Sequence, residues 1–489
     1  MSQVVAGGLH SCAIVGDGEV YCWGQNDVGQ LGDGTQSGRP FAKPVLQSPG
    51  DSPLTGVQAL ALGYRHSCAL LTGGEARCWG RNDYGQLGDG TQTDRLTPVP
   101  VLQSPGGVKL AGVQALALGG VHSCALLTSG EVRCWGHNSD GQLGDGTTTD
   151  RLAPVPVLEA PGGPPLTGVQ ALALGYRHSC ALLTGGEARC WGYNVSGQLG
   201  DGTTTHRLGP VPVLEAPGGL PLTGVQALAL SGVHSCASLT SGEVRCWGQN
   251  WYGQLGDGTQ TDRLTPVPVL QAPGGPPLTG VQALALGGMH SCASLTSGEV
   301  RCWGANSIGQ LGDGTTTQRL TPVPVRVSPG GPSLTGVQAL TLGGGHSCAR
   351  LSTGEASCWG YNDYAQLGDG TTTQRLTPVP VRVSPGGPSL TGVQALALGG
   401  MHSCASLTSG EARCWGYNVY GQLGDGTISS QPSPVPVLLP PSSVSPLGAR
   451  PSALPASIDS PPFGLLSPTR SLAAPFVSSS PSGPSFVVP

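Results

Sequence analysis

His66-Ser67-Cys68-Ala69-Leu70, then Gly74-Glu75-Ala76-Arg77-Cys78-Trp79-Gly80, then Gly85-Gln86-Leu87-Gly88-Asp89-Gly90-Thr91: this phrase decides the fold, because the chain repeats it. Its histidine stands at His10, His66, His122, His178, His234, His290, His346 and His402, each step being 56 residues with no insertion or deletion. Self-similarity at a fixed period marks a repeat architecture, in which each unit buries its apolar faces by stacking on its neighbours.

Each unit divides into four candidate strands. In the second copy they are Val57 to Leu62, Ser67 to Leu71, Glu75 to Trp79 and Pro98 to Leu102, all short and most bounded by Gly or Pro. Thr72-Gly73-Gly74 suits a three-residue hairpin loop with glycine in the left-handed bulge position. Helical periodicity is absent. Four antiparallel strands per unit predict an all-β fold, a β-propeller of eight four-stranded blades, with seven blades as the alternative. The chain starts in a first-type strand, Val4 to Ala6, and its last repeat ends in a fourth-type strand, Pro434 to Leu438. Pairing those two strands is one way to close the ring and hide both edges. The propeller is expected over residues 1–440; residues 441–489, rich in Pro and Ser with few charges, read as a disordered tail, a spacer or stalk.

Gly and Pro, 81 and 44 of 489 residues, would suggest disorder if they were scattered, but they recur at fixed places as turn punctuation. Charged residues are only 10% of the chain and the balance is −5, so there is no polybasic surface and no nucleic acid partner is expected. No apolar run approaches the roughly 20 residues that a membrane-spanning helix needs. Met1-Ser2-Gln3-Val4-Val5 enters the repeat almost at once, so either the protein is not exported or its leader lies outside this sequence.

Gly-x-x-His-Ser, followed by Gly-Glu-Val-x-Cys-Trp-Gly-x-Asn-x-x-Gly-Gln-Leu-Gly, resembles the repeat of the regulator of chromosome condensation family across all eight units. Gly-Gln-Leu-Gly is intact in seven copies, and Ala365 replaces its leading Gly in the other. The resemblance implies a β-propeller presenting loops to protein partners, with members that include an exchange factor for a small GTPase and a secreted inhibitor of β-lactamase. Paired cysteines depart from the exchange factor and point to a bacterial secreted-type variant.

All 16 cysteines fall in pairs ten positions apart: Cys12 and Cys22, Cys68 and Cys78, Cys124 and Cys134, Cys180 and Cys190, Cys236 and Cys246, Cys292 and Cys302, Cys348 and Cys358, Cys404 and Cys414. The hairpin register sets Cys68 opposite Cys78 with Cβ atoms about 4.5–5.5 Å apart, which favours one disulfide per blade. Eight such bridges indicate an oxidising compartment, extracellular or at the cell surface; with no leader legible, the cytoplasm is the alternative. His66, Cys68 and Cys78 face one side and could converge on a metal, but a structural zinc wants four ligands and no fourth recurs, so no metal is expected. The histidine is read as bonding backbone between blades, and Trp79 and its equivalents as blade packing. Asp89 in Gly-Asp-Gly-Thr shapes a turn, since one carboxylate per loop is too few for calcium. Every recurring His, Glu and Asp belongs to the framework, so no catalytic residue, cofactor or enzyme signature emerges.

Positions that differ between copies carry the functional signal, and they form two sets. One precedes the histidine: Tyr64 and Arg65, Tyr176 and Arg177, Val121, Met289, Met401. The other surrounds the Asn after Trp-Gly: Arg81, Asp83 and Tyr84; His137, Ser139 and Asp140; Tyr193 and Val195; Gln249, Trp251 and Tyr252; Ile308; Tyr361, Asp363 and Tyr364; Tyr417, Val419 and Tyr420. Chain direction alternates along a blade, so both sets line one rim. Tyr, Trp and Arg are the residues of interface hot spots. The binding set is therefore Tyr64, Arg65, Arg81, Tyr84, Tyr176, Arg177, Tyr193, Trp251, Tyr252, Tyr361, Tyr364, Tyr417 and Tyr420. The leading function is a non-catalytic, monomeric propeller that binds a protein or surface glycan; nucleotide exchange on a small GTPase and a propeller hydrolase or lyase are the alternatives.

Overall fold

The computed structural model describes Met1 and residues 3–440, so the expected disorder of residues 441–489 lies outside the described residues. Thirty-two strands form eight separate four-stranded antiparallel sheets, with no helix among the described residues. Each sheet takes its four strands from one repeat in chain order. In blade 2 these are Val57–Leu62, His66–Leu71, Ala76–Gly80 and Arg95–Pro100. First strands of successive blades face each other around the centre, and those of blades 8 and 1 complete the circle. The fold is thus an eight-bladed propeller, and seven blades are excluded.

Two details differ from the sequence reading. The fourth strand lies earlier, at Arg95–Pro100 instead of Pro98–Leu102, and in the last blade at Gln431–Pro436 instead of Pro434–Leu438. A register shift between Cys78 and Gly80 lets Arg95 pair with Gly80, which extends the strand back through the charged end of the loop. Moreover, the first and last strands do not pair. The inner strand Gln3–Ala6 pairs only within its own sheet, and the seam between blades 8 and 1 is closed by face packing, with Val4, Ala13 and Trp23 against Cys404, Ala412, Cys414 and Leu423. Since each repeat supplies a whole blade, strand exchange is not needed.

The hairpin between second and third strands forms as expected. Gly74 sits at φ 73°, its N–H bonds the Leu71 carbonyl, and Leu71 N–H bonds the Glu75 carbonyl. That turn sets Cys68 directly opposite Cys78, and all eight expected pairs are disulfides within blades. No sulfur is left as a thiolate ligand, which removes the metal alternative. Each disulfide joins an apolar layer completed by the tryptophan of the next blade, as Cys68 and Cys78 do with Trp135. Gly88, at φ 71°, lies so close to that indole that an added Cβ would stand 2.9 Å from Nε1.

A polar relay runs through the same layer. Trp79 Nε1 donates to the Gln30 carbonyl at 2.9 Å, Ser67 Oγ donates to the same oxygen at 3.0 Å, and His10 Nε2 donates to Ser67 Oγ at 2.9 Å. The pattern passes from blade to blade until His402 reaches Ser11 at 2.8 Å. The histidine partner is therefore a side-chain hydroxyl and not the backbone expected from sequence; the serine carries the bond on to the carbonyl. All eight histidines are buried. Burial pulls their pKa down from 6.5, to about 3 at His10 and about 4 at His178, so they are neutral at physiological pH.

Candidate functional site

The two variable segments meet in every blade through one hydrogen bond. The residue after Trp-Gly donates its N–H to the carbonyl of the residue before the histidine: Arg81 to Arg65, His137 to Val121, Tyr193 to Arg177, Gln249 to Val233, Ala305 to Met289, Tyr361 to Gly345, Tyr417 to Met401. Beneath them the loop is pinned. Asn82 Nδ2 donates to Asp89 Oδ1 at 3.1 Å and to the Thr93 carbonyl at 3.1 Å, while its Oδ1 accepts from Leu87 N–H at 2.9 Å. Asp89 in turn accepts from Thr91 N–H at 3.0 Å and Arg95 Nε at 2.6 Å. The turn role expected of Asp89 is present, and Arg95 is a partner that the sequence reading did not assign. With the backbone fixed from below, the side chains at 81, 83 and 84 and their equivalents are free to differ.

They differ by sector. On blades 1–4 the rim residues satisfy one another. Arg65 pairs with Asp27 of the preceding blade, Arg81 with Asp83 at 2.6 Å, and Arg177 with Asp140 at 2.8 Å. Arg81 lies over the Tyr84 ring and Arg177 over Tyr193, at 5.5 and 5.6 Å from the centroids. Tyr84 meets His137 edge-on at 4.5 Å, and Tyr193 stacks with His206 at 5.1 Å. Burial opposes charge at Asp83, yet the Arg81 contact holds its carboxyl below the usual range; burial lowers His137. Tyr64 and Tyr176 lie over the glycines of the preceding blades, and a Cβ on Gly120 would fall 2.3 Å from the Tyr176 ring. Those two tyrosines are seated, not presented.

On blades 5, 7 and 8 the rim is aromatic and open, and blade 6 between them carries Met289 and Ile308. Trp251, Tyr252, Tyr364 and Tyr420 are 60%, 41%, 36% and 42% exposed. Tyr361, Tyr364, Tyr417 and Tyr420 form a run of edge-on contacts at 6.1, 4.9 and 6.4 Å, crossing from blade 7 to blade 8. Burial and the neighbouring Asp363 push the Tyr361 hydroxyl up to about 12, so it stays a neutral donor. Val419 and Ile428 are exposed beside them, and the ion pairs of blades 1–4 have no counterpart among the described rim residues here. The predicted binding set thus splits into an internally paired group, Arg65, Arg81, Tyr84, Arg177 and Tyr193 with the seated Tyr64 and Tyr176, and a second group in which Trp251, Tyr252, Tyr364 and Tyr420 are exposed and the half-buried Tyr361 and Tyr417 join the run of rings.

Sequence reasoning missed a third variable position on this rim, the residue before the fourth-strand Arg. It is Asp94, Asp150, His206, Asp262, Gln318 and Gln374 in blades 2–7. Asp94 and Asp262 accept the N–H of the loop Asn in their own blades, and His206 Nδ1 does the same at 2.9 Å. Copy-to-copy variation was the available signal, and the fourth strand placed too late in the chain hid it.

A model for the RCC1-like domain matches residues 106–449, and models for the regulator of chromosome condensation (RCC1) repeat match residues 1–30, 57–86, 17–70 and 74–126. The chain is 32% identical over 376 residues to the ultraviolet-B receptor UVR8 of Arabidopsis thaliana, covering 77% of this chain and 80% of that one. It is 30% identical over 356 residues to the E3 ubiquitin-protein ligase HERC2 of Homo sapiens, across 72% of this chain but 7% of that protein. Among solved structures, Prp20p from Saccharomyces cerevisiae, described with its binding to Gsp1p and histones, is similar with a TM-score of 0.55 at 22% identity, covering 78% of this chain and 89% of that one. Human WBSCR16 is similar with a TM-score of 0.50 at 20% identity, covering 86% and 94%.

Proposed function

The chain belongs to the regulator of chromosome condensation (RCC1) repeat family, and from that premise we propose that it is a non-catalytic binding propeller whose variable rim holds a protein partner. One observation carries the reading. Above a framework repeated almost without change, the rim of blades 5–8 exposes Trp251, Tyr252, Tyr364 and Tyr420 on loops pinned by buried hydrogen bonds from Leu255, Leu367 and Leu423 N–H to Asn250, Asn362 and Asn418 Oδ1. Rigid aromatic side chains offer large contact area at low entropic cost. The relatives support it in kind: they include a receptor and a ubiquitin ligase, and the similar fold of Prp20p belongs to a protein described with its binding to Gsp1p and histones. The eight disulfides support placing the protein in an oxidising, extracytoplasmic compartment.

The test compares full-length protein with a variant carrying Trp251→Ala, Tyr252→Ala, Tyr364→Ala and Tyr420→Ala. A third sample carries changes on the opposite rim, at Ser129 and Ser241 of the hairpin loops. Partners retained from host extract on the wild type should be lost from the aromatic variant and kept by the control. Each hot-spot aromatic commonly contributes about 2 kcal/mol, so even one loss weakens affinity about thirtyfold. Retention by the aromatic variant with loss from the control would assign binding to the opposite rim.

A further inference from the structure

We propose that residues 461–489 of this chain dock on its own aromatic sector, the rim of blades 5–8, and so occupy the binding face until a partner displaces them. Three of the four phenylalanines in the chain, Phe463, Phe476 and Phe486, lie in those residues, each within two positions of a proline, and Arg470 is their only charged side chain. The aromatic sector has the matching character: exposed Trp and Tyr rings whose faces no Arg covers among the described residues, and the carboxylate of Asp363 within the tyrosine run. The sector on blades 1–4 does not match, because its arginines, carboxylates and rings are already paired. Aromatic surfaces of this kind take proline-rich segments, whose extended form costs little entropy to bind.

The path is short. The last strand of blade 8 begins beside the sector, at Gln431 paired with Gly416 next to Tyr417, and the chain leaves the blade at the opposite rim. There Leu438 is held by its N–H to the Gly424 carbonyl and by Ala42 of blade 1. From Pro440 to Phe463 there are 23 residues, which extended cover at most about 75 Å. A six-residue strand is only about 20 Å tall, so the return to the aromatic rim is well within reach. Tethering at about millimolar effective concentration then fills the site even for a segment with a dissociation constant of about 0.5 mM.

The inference rests on the rim being the binding face, and its test needs no external partner. Eight of the nine tryptophans are fully buried and Trp251 is 60% exposed, so acrylamide quenching of the full-length protein reports on Trp251, with Trp251→Phe as the blank. In the full-length variant Phe463→Ser, Phe476→Ser, Phe486→Ser the quenching constant should rise about threefold, the change expected when about two-thirds of the chains are docked. The protection should survive about hundredfold dilution, because a tethered segment does not dissociate by mass action. An unchanged constant overturns the proposal. Protection that fades on dilution also overturns it and gives the rim to a second copy of the chain. Either result leaves the partner-capture experiment to judge the rim independently.

Discussion

The relay layer and the rim above it are built by the same repeats, yet one is nearly constant and the other is not. In the layer, each His, Ser and Trp meets the same neighbour in every copy, so a change in one blade breaks an interface with the next. Above it, the residues at 81, 83 and 84 and their equivalents face solvent or each other, and the pinned backbone tolerates any of them. Position relative to the blade interface decides which residues are free to specialise.

Acid should act on the relay layer far more than on the rim, because it reaches all eight relay histidines at once. Their folded pKa values are depressed to about 3–4 from 6.5, so the unfolded chain takes up protons first as pH falls. The stability they contribute is complete above pH 6.5 and is lost progressively as pH falls below it, because the unfolded chain binds protons that the buried neutral rings refuse. Urea titrations followed by circular dichroism should show a steep decline across that window; a flat profile from pH 7 to 4.5 would mean that the relay does not hold the ring.

Disulfides are the next largest effect. Replacing Cys180 and Cys190 together by Ala should cost about 3 kcal/mol on the loop-entropy scale, whereas the four aromatic rim replacements should stay within about 0.5 kcal/mol. Equal losses from both sets would erase the distinction between layer and rim. Peptide mapping of protein purified without reductant should link Cys68 only to Cys78, and free thiols throughout would argue against an oxidising compartment.

The smallest effect is expected at a single rim residue. Ala365 is the only non-glycine among the described residues at positive φ, 66°, and stands where the other copies have Gly. Its counterparts Gly309 and Gly253 pack against Leu376 and Leu320, and the chain has Pro432 at the corresponding place in blade 8. Ala365→Gly should stabilise the protein by about 1 kcal/mol by relieving the left-handed backbone. A loss of stability would mean that the methyl group fills space no glycine can.

Much was determined by the chain alone. An unbroken 56-residue period fixed the number of blades, and the ten-residue spacing around Thr72-Gly73-Gly74 fixed the disulfides, since both follow from local turn geometry. Other features depend on residues distant in sequence and were decided only by tertiary structure. The histidine finds a serine 57 positions on; Arg95 folds back onto Asp89 and so starts the fourth strand early; the ring closes by packing Val4 and Trp23 on blade 8, not by strand exchange. The split of the rim is of the same kind. Tyr193 and Tyr417 occupy one repeat position and read alike in sequence, but Tyr193 lies under Arg177 and against His206, while Tyr417 joins an open run of rings. A side chain is paired or presented according to its neighbours in the adjacent blade, which the repeat period does not encode.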